Sequence, residues 1–247
     1  MVENIGIADN SEAKDIHVFS NPHLKFVAFV IFFVCFFAIV SSVSAASFNS
    51  SSSSSDIQNF INTGSGDDDI VLEEGDYIDT LYNLNVSRKV NIKSNGQVNI
   101  KSNTGGTLFN ITARNVQILN LNISGYQTAI YSNTGGLSVI GNNITTIDSS
   151  INIDGSGDLS GISLENNTII SSVSSSTYGA VYVNANSGST VGILVKNNNI
   201  TANNPTNSYG MGFNVAYCDN SLFFENNNIT GNSGMVFIWI HPTATIL

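Results

Sequence analysis

Ile193-Leu194-Val195-Lys196-Asn197-Asn198-Asn199-Ile200-Thr201 is one version of a phrase that recurs along this chain. It returns as Leu222-Phe223-Phe224-Glu225-Asn226-Asn227-Asn228-Ile229-Thr230. Altered copies read Ile162-Ser163-Leu164-Glu165-Asn166-Asn167-Thr168-Ile169, Leu137-Ser138-Val139-Ile140-Gly141-Asn142-Asn143-Ile144-Thr145 and Val116-Gln117-Ile118-Leu119-Asn120-Leu121-Asn122-Ile123-Ser124. Apolar residues hold the first, third and eighth positions, with Asn or Gly between. The period of two predicts a strand whose first and third side chains share a face. A polar interruption follows, and then a single Ile returns to the apolar side.

Asn tolerates the left-handed backbone, where a β-branched residue is strained by roughly 1–2 kcal/mol. Strand, Asn corner and short strand therefore describe one bend of a coil. The eighth-position Ile recurs at 123, 144, 169, 200 and 229, with spacings of 21, 25, 31 and 29. That range, with one strand–turn–strand unit per period, predicts a solenoid. Each coil would pair in parallel with the next at about 4.8 Å. Asn at one corner of successive coils would form a side-chain amide ladder. An antiparallel sandwich with Asn-rich turns is the alternative, but it gives no reason for one phrase to recur five times.

These residues resemble the coil repeat of right-handed parallel β-helix proteins, the pectin-lyase-like superfamily. Within it the chain is most similar to adhesin-like surface proteins of methanogenic archaea. Asp68-Asp69-Ile70-Val71-Leu72-Glu73-Glu74-Gly75-Asp76-Tyr77 looks like that family's opening of its first coil. The resemblance runs from about Ser55 to the C-terminus. It implies an all-β, right-handed parallel β-helix, and exported, adhesin-like attachment or polysaccharide binding without catalysis. Fold alone does not select among the functions this scaffold carries.

The chain has 247 residues, 11% of them charged, and a net charge of −10. The acidic balance argues against a nucleic-acid partner, which needs clustered Lys and Arg. Residues 26–40 are a continuous apolar run, followed by small residues at Val43-Ser44-Ala45. Fifteen apolar residues fit a signal-peptide core better than a full span, which needs about 20. Residues 1–46 are therefore expected to be a hydrophobic signal peptide or an uncleaved signal-anchor helix, with a mature N-terminus near Ala46. The protein would be extracellular or on the cell surface, touching a membrane only through this segment if it stays uncleaved. Residues 47–55 are expected to be a serine-rich linker and 56–247 the β-helix, apparently truncated at its C-terminal end.

Ile57, Phe60 and Ile61 predict a two-turn helix, with Asp56 as N-cap, covering the first coil. The acidic cluster from Asp67 to Asp79 is expected to be a solvated turn, with a calcium site as the alternative. Asn95-Gly96 would suit a short hairpin. Cys35 lies in the leader, leaving Cys218 alone, so no intramolecular disulfide or metal motif is expected.

The sequons at Asn49, Asn85, Asn110, Asn122, Asn143, Asn166, Asn199 and Asn228 are N-glycosylation candidates. Four of them follow simply from the coil phrase. No catalytic residues, cofactor or metal are expected: Asp148, Asp154 and Asp158 lack a basic partner nearby in sequence, and Lys196 belongs to another coil. The other readings are a polysaccharide-active enzyme (lyase or glycoside hydrolase) and a purely structural surface stalk. For a bound polysaccharide, or another cell's surface, the expected contacts are Tyr178 and Tyr209 with Asn203, Asn204 and Asn207. Each tyrosine lies nine residues past its Ile, at the end of an enlarged loop. Equal coil geometry would stack the two rings, either as a sugar platform or as an internal aromatic ladder.

Overall fold

The computed structural model describes residues 44–173, 179–185, 191–203, 211–218, 222–231 and 234–240. They form a parallel β-solenoid with three faces, and every strand pairing among them is parallel. After β1 (Ala45–Phe48) and a helix α1 (Ser54–Thr63), the first coil is β2 (Asp68–Ile78) and β3 (Leu84–Val86). The second coil opens with β4 (Val90–Lys101). β2 and β4 each bend across two faces, whereas later coils split that run into two short strands. Gln117–Leu119 stacks on the first half of β4 and Asn122–Tyr126 on the second half. The third face is a 7-stranded sheet running from β3 to Gly234–Ile240, one strand per coil.

The core is three inward columns. On the first face Ile70, Ile92, Ile118, Val139, Leu164 and Val195 are in register and buried. On the second, Tyr77, Ile100, Ile123, Ile144, Ile169 and Ile200 stack likewise, ending on half-buried Ile229. Phe109, Ile130, Ile151, Val181 and Phe213 line the third. The apolar first, third and eighth positions of the phrase thus face the interior.

The corner between the first two faces explains the Asn runs. Asn120, Asn166, Asn197 and Asn226 have φ of 57, 56, 55 and 54°, and Gly141 takes the same place at 70°. The next residue turns inward. Asn142, Asn167, Asn198 and Asn227 form a ladder, Nδ2 of each donating to Oδ1 of the next at 3.2, 2.9 and 3.0 Å. Each Nδ2 also donates to a backbone carbonyl lower in the stack: Ile118, Val139, Leu164 and Val195 at 2.7–2.9 Å. Each Oδ1 accepts the backbone N–H of Leu121, Asn142, Asn167 or Asn198 at 2.9–3.0 Å. Corner backbone that would otherwise be buried unpaired is satisfied in this way.

The serine tract is part of the domain rather than a linker. β1 pairs with β2 from Ala45↔Asp69 to Phe48↔Leu72. Phe48 meets Phe60 edge-on at 6.0 Å, and the Tyr77 hydroxyl donates to Phe48 O at 2.6 Å. Ser53, not Asp56, is the N-cap; Asp56 is the third helical residue and closes a capping box back onto Ser53. α1 buries Ile57 and Ile61 and lies over β3. Gln58 accepts the Asn85 N–H at 2.7 Å and donates to Asn85 O at 3.0 Å, so one side-chain amide pairs an edge-strand backbone. Arg88 ties down the helix end, donating to Ile61 O at 2.7 Å and pairing with buried Asp68 at 2.7 Å.

The acidic cluster is not a solvated turn either. Its carboxylates stand one rung below cations and amides of the second coil. Asp67 pairs with Lys89 and Asp69 with Lys93, each at 2.5 Å. Glu73, Asp76 and Asp79 accept from Asn95, Asn99 and Asn103 at 2.7 Å. Asn95-Gly96 is a corner inside continuous β4, with Gly96 at φ 91°, and both halves of β4 stay parallel to β2, so no hairpin forms. The apolar run at 26–40 lies outside the described residues. No helix among the described residues is long and apolar enough to cross a membrane.

Candidate ligand-binding face

The second face carries two outward columns between its inward Ile positions, because successive strand residues alternate sides. One reads Asp76, Asn99, Asn122, Asn143, Thr168, Asn199, Asn228 from coil to coil. The other reads Ile78, Lys101, Ser124, Thr145, Ile170, Thr201, Thr230. Where a coil reads Asn-Ile-Thr, at 143–145, 199–201 and 228–230, it presents an outward amide, an inward Ile and an outward hydroxyl. At one parallel rung of about 4.8 Å per coil, this sets amides and hydroxyls in a regular lattice along the solenoid.

Side chains within the columns hold one another. Asn99 Nδ2 donates to the Asp76 carboxylate at 2.7 Å, and Asn122 Nδ2 to Asn99 Oδ1 at 3.1 Å. Higher up, Asn228 Nδ2 donates to Asn199 Oδ1 at 3.0 Å, and Thr230 meets Thr201 at 3.2 Å. Every amide in such a chain keeps a second N–H and a second lone pair for a ligand.

Over the first four coils this face is recessed into a groove of about 560 Å³. Asp76, Asn99, Asn122 and Asn143 form its floor, with Gln97, Lys101, Ser124 and Thr145 beside them. Gln97, Lys101 and Asn143 are exposed. Lys101 belongs to none of the described ion pairs, although its charge contributes to holding the Asp79 carboxyl below its usual range. The main causes there are the hydrogen bonds from the Asn103 backbone and side chain. The groove thus offers amides, hydroxyls, one ammonium and the exposed Ile78 side chain, with its single carboxylate, Asp76, accepting from Asn99.

Of the contacts expected from sequence, Asn203 is exposed just beyond the Asn199–Ala202 strand, its N–H donating to Ser171 O at 2.8 Å. Tyr178, Tyr209, Asn204 and Asn207 lie outside the described residues. Among the sequons, Asn49, Asn85, Asn143, Asn166, Asn199 and Asn228 are exposed, while Asn110 and Asn122 are half-buried. Asp158 does have a basic partner, Arg114 at 3.0 Å, brought from an earlier coil. Lys196 is paired with Glu225 at 3.0 Å. Among the described residues no three His, Cys, Asp or Glu come together as a metal-ligand set. Sequence reading took Asn-Ile-Thr as glycosylation sequons or as part of the coil phrase; the outward seventh and ninth positions were the signal for this face. No family model, curated protein or solved structure matches the chain.

Proposed function

We propose that this chain is an exported, adhesin-like surface protein that attaches by binding a polysaccharide on the second face of its solenoid, without catalysis. The recessed run of outward Asn99, Asn122, Ser124, Asn143 and Thr145, with Asp76, Ile78 and Lys101 beside it, carries the reading. A polymer lying along the solenoid axis would meet a donor and acceptor at each rung, its hydroxyls taking up the unused amide sites. In this reading the coil is right-handed and of the pectin-lyase-like, archaeal adhesin-like kind. The apolar segment at 26–40 exports or anchors it, and the surface is extracellular. Sequon glycosylation at Asn122 or Asn143 would fill the same groove, so binding belongs to molecules unmodified at those two positions.

Retention of the full chain on insoluble cellulose, chitin, xylan and mannan tests the reading. Binding to at least one of them, clearly weakened when Asn99 and Lys101 are both replaced by Ala, is the expected outcome. Retention unaffected by that double substitution would move attachment elsewhere, and release of unsaturated sugars would establish a lyase instead.

A further inference from the structure

The third face has its own outward column: Asn85, Asn110, Tyr131, Asn152, Tyr182 and Asn214, in register from coil to coil. Beside it lies a second recess of about 500 Å³, bounded by Tyr131, Asn133, Asp154 and the Gly155-Ser156-Gly157 segment. Its chemistry differs from that of the amide groove. The Tyr131 ring is half-buried, and its hydroxyl lies 3.5 Å from the Asp154 backbone oxygen. Burial, with the neighbouring Asp154 carboxylate, pushes the Tyr131 phenol above its ordinary range, so it stays protonated and able to donate.

Asp154 Oδ1 accepts from Asn184 Nδ2 at 3.0 Å, an interaction that orients the carboxylate without neutralising it. None of the described ion pairs includes Asp154; the nearby cation, Arg114, is committed to Asp158. Asn152 Oδ1, one rung from Tyr131, is buried without a hydrogen-bond donor. Gly155, on the inward parity of the same strand, has no room for a side chain: an added Cβ would sit 2.6 Å from Asn133 O and 3.0 Å from buried Leu159.

We propose that this recess is a subsite for a neutral hexose unit of a glycan, with the sugar stacked on Tyr131 and its hydroxyls donating to Asp154. An aromatic face takes the C–H side of a pyranose, and an oriented carboxylate accepts from two adjacent hydroxyls. The uncompensated charge of Asp154 disfavours uronate and sulfated units, because a like charge brought beside it meets no cation in the recess. The site lies on a different face from the amide groove and stands independently of it.

The test is calorimetric titration of the full chain with cellohexaose, laminarihexaose and mannohexaose, against the anionic tetragalacturonate. One neutral hexaose should bind more tightly than tetragalacturonate. Tyr131→Ala should weaken it about tenfold, in keeping with loss of a stacking platform. Asp154→Asn, which keeps an acceptor for Asn184, should also weaken it, whereas Tyr131→Phe and Lys101→Ala should bind nearly as the parent does. The Phe variant guards against misreading a folding defect. The proposal is overturned if no neutral hexaose binds at about 10 mM, well beyond useful affinity. It is equally overturned if tetragalacturonate binds best, or if Tyr131→Ala and Asp154→Asn both bind as the parent does. Loss of binding on Lys101→Ala alone would sink this subsite while leaving the second-face groove intact.

Discussion

Asn197→Gly and Asn198→Ala differ by one position and should differ several-fold in cost. Asn198 Oδ1 accepts the Asn167 N–H at 3.0 Å and Asn167 Nδ2 at 2.9 Å. Its Nδ2 donates to Leu164 O at 2.7 Å and to Asn227 Oδ1 at 3.0 Å. The side chain is 2% exposed, so water does not replace these partners. Truncation to Ala strips two buried backbone groups, the Asn167 N–H and the Leu164 carbonyl. At about 1–3 kcal/mol each, the expected loss is roughly 2–6 kcal/mol. Asn197, exposed and at φ 55°, serves the corner through its backbone. Gly adopts that conformation freely, so its substitution should change stability by less than about 1 kcal/mol. Equilibrium urea unfolding followed by far-UV circular dichroism reads both. Because solenoids can open locally, hydrogen exchange at the Asn167 amide should show the same ordering. An Asn198→Ala variant as stable as Asn197→Gly would refute the ladder as a stabilising device.

Ile200→Ala, at the last fully buried rung of the second-face column, should cost roughly 2–5 kcal/mol in the same unfolding assay. Arg88→Ala should destabilise by about 3–5 kcal/mol, since it leaves the buried Asp68 carboxylate unpaired and frees the end of α1. Hydrogen bonds from Lys93 and Asn91 hold the Asp69 carboxyl below its ordinary value of 3.8. Its contribution is therefore present above that value and lost as pH falls through the lower folded pKa; thermal melts below pH 4 should show it, less so in Lys93→Met. Burial, with Glu73 nearby, pushes Tyr77 up to about 12. The stability it contributes is whole below about pH 10 and lost as pH rises from there towards 12, a dependence that Tyr77→Phe should diminish in alkaline melts.

The alternation of the repeated phrase made the core legible. Its apolar positions at 193, 195 and 200 are the buried ones, and the Asn between them supply the left-handed corner and the ladder. The N-terminal cap was less legible. Serine carries no hydrophobic pattern, and the roles of Ser53 and Ser54 are hydrogen bonds to a helix end and to the Thr80 and Tyr82 carbonyls. Asn95-Gly96 misled because a hairpin turn and a solenoid corner both call for positive φ at Gly. The second-face groove was hidden in plain sight, since a residue that builds the coil phrase also faces outward. The third-face recess depends on Asp154 meeting Asn184 from the next coil, a pairing set by loop lengths that differ from coil to coil.

Covalent labelling of lysines while the full chain is bound to the polysaccharide that retains it tests attachment through the second face most directly. Lys101 lines the groove, Lys196 sits on the first face paired with Glu225, and Lys89 is paired with Asp67 near the cap. Lys101 should lose its reactivity on binding while Lys89 and Lys196 keep theirs. Undiminished labelling of Lys101 in the bound protein would contradict the account.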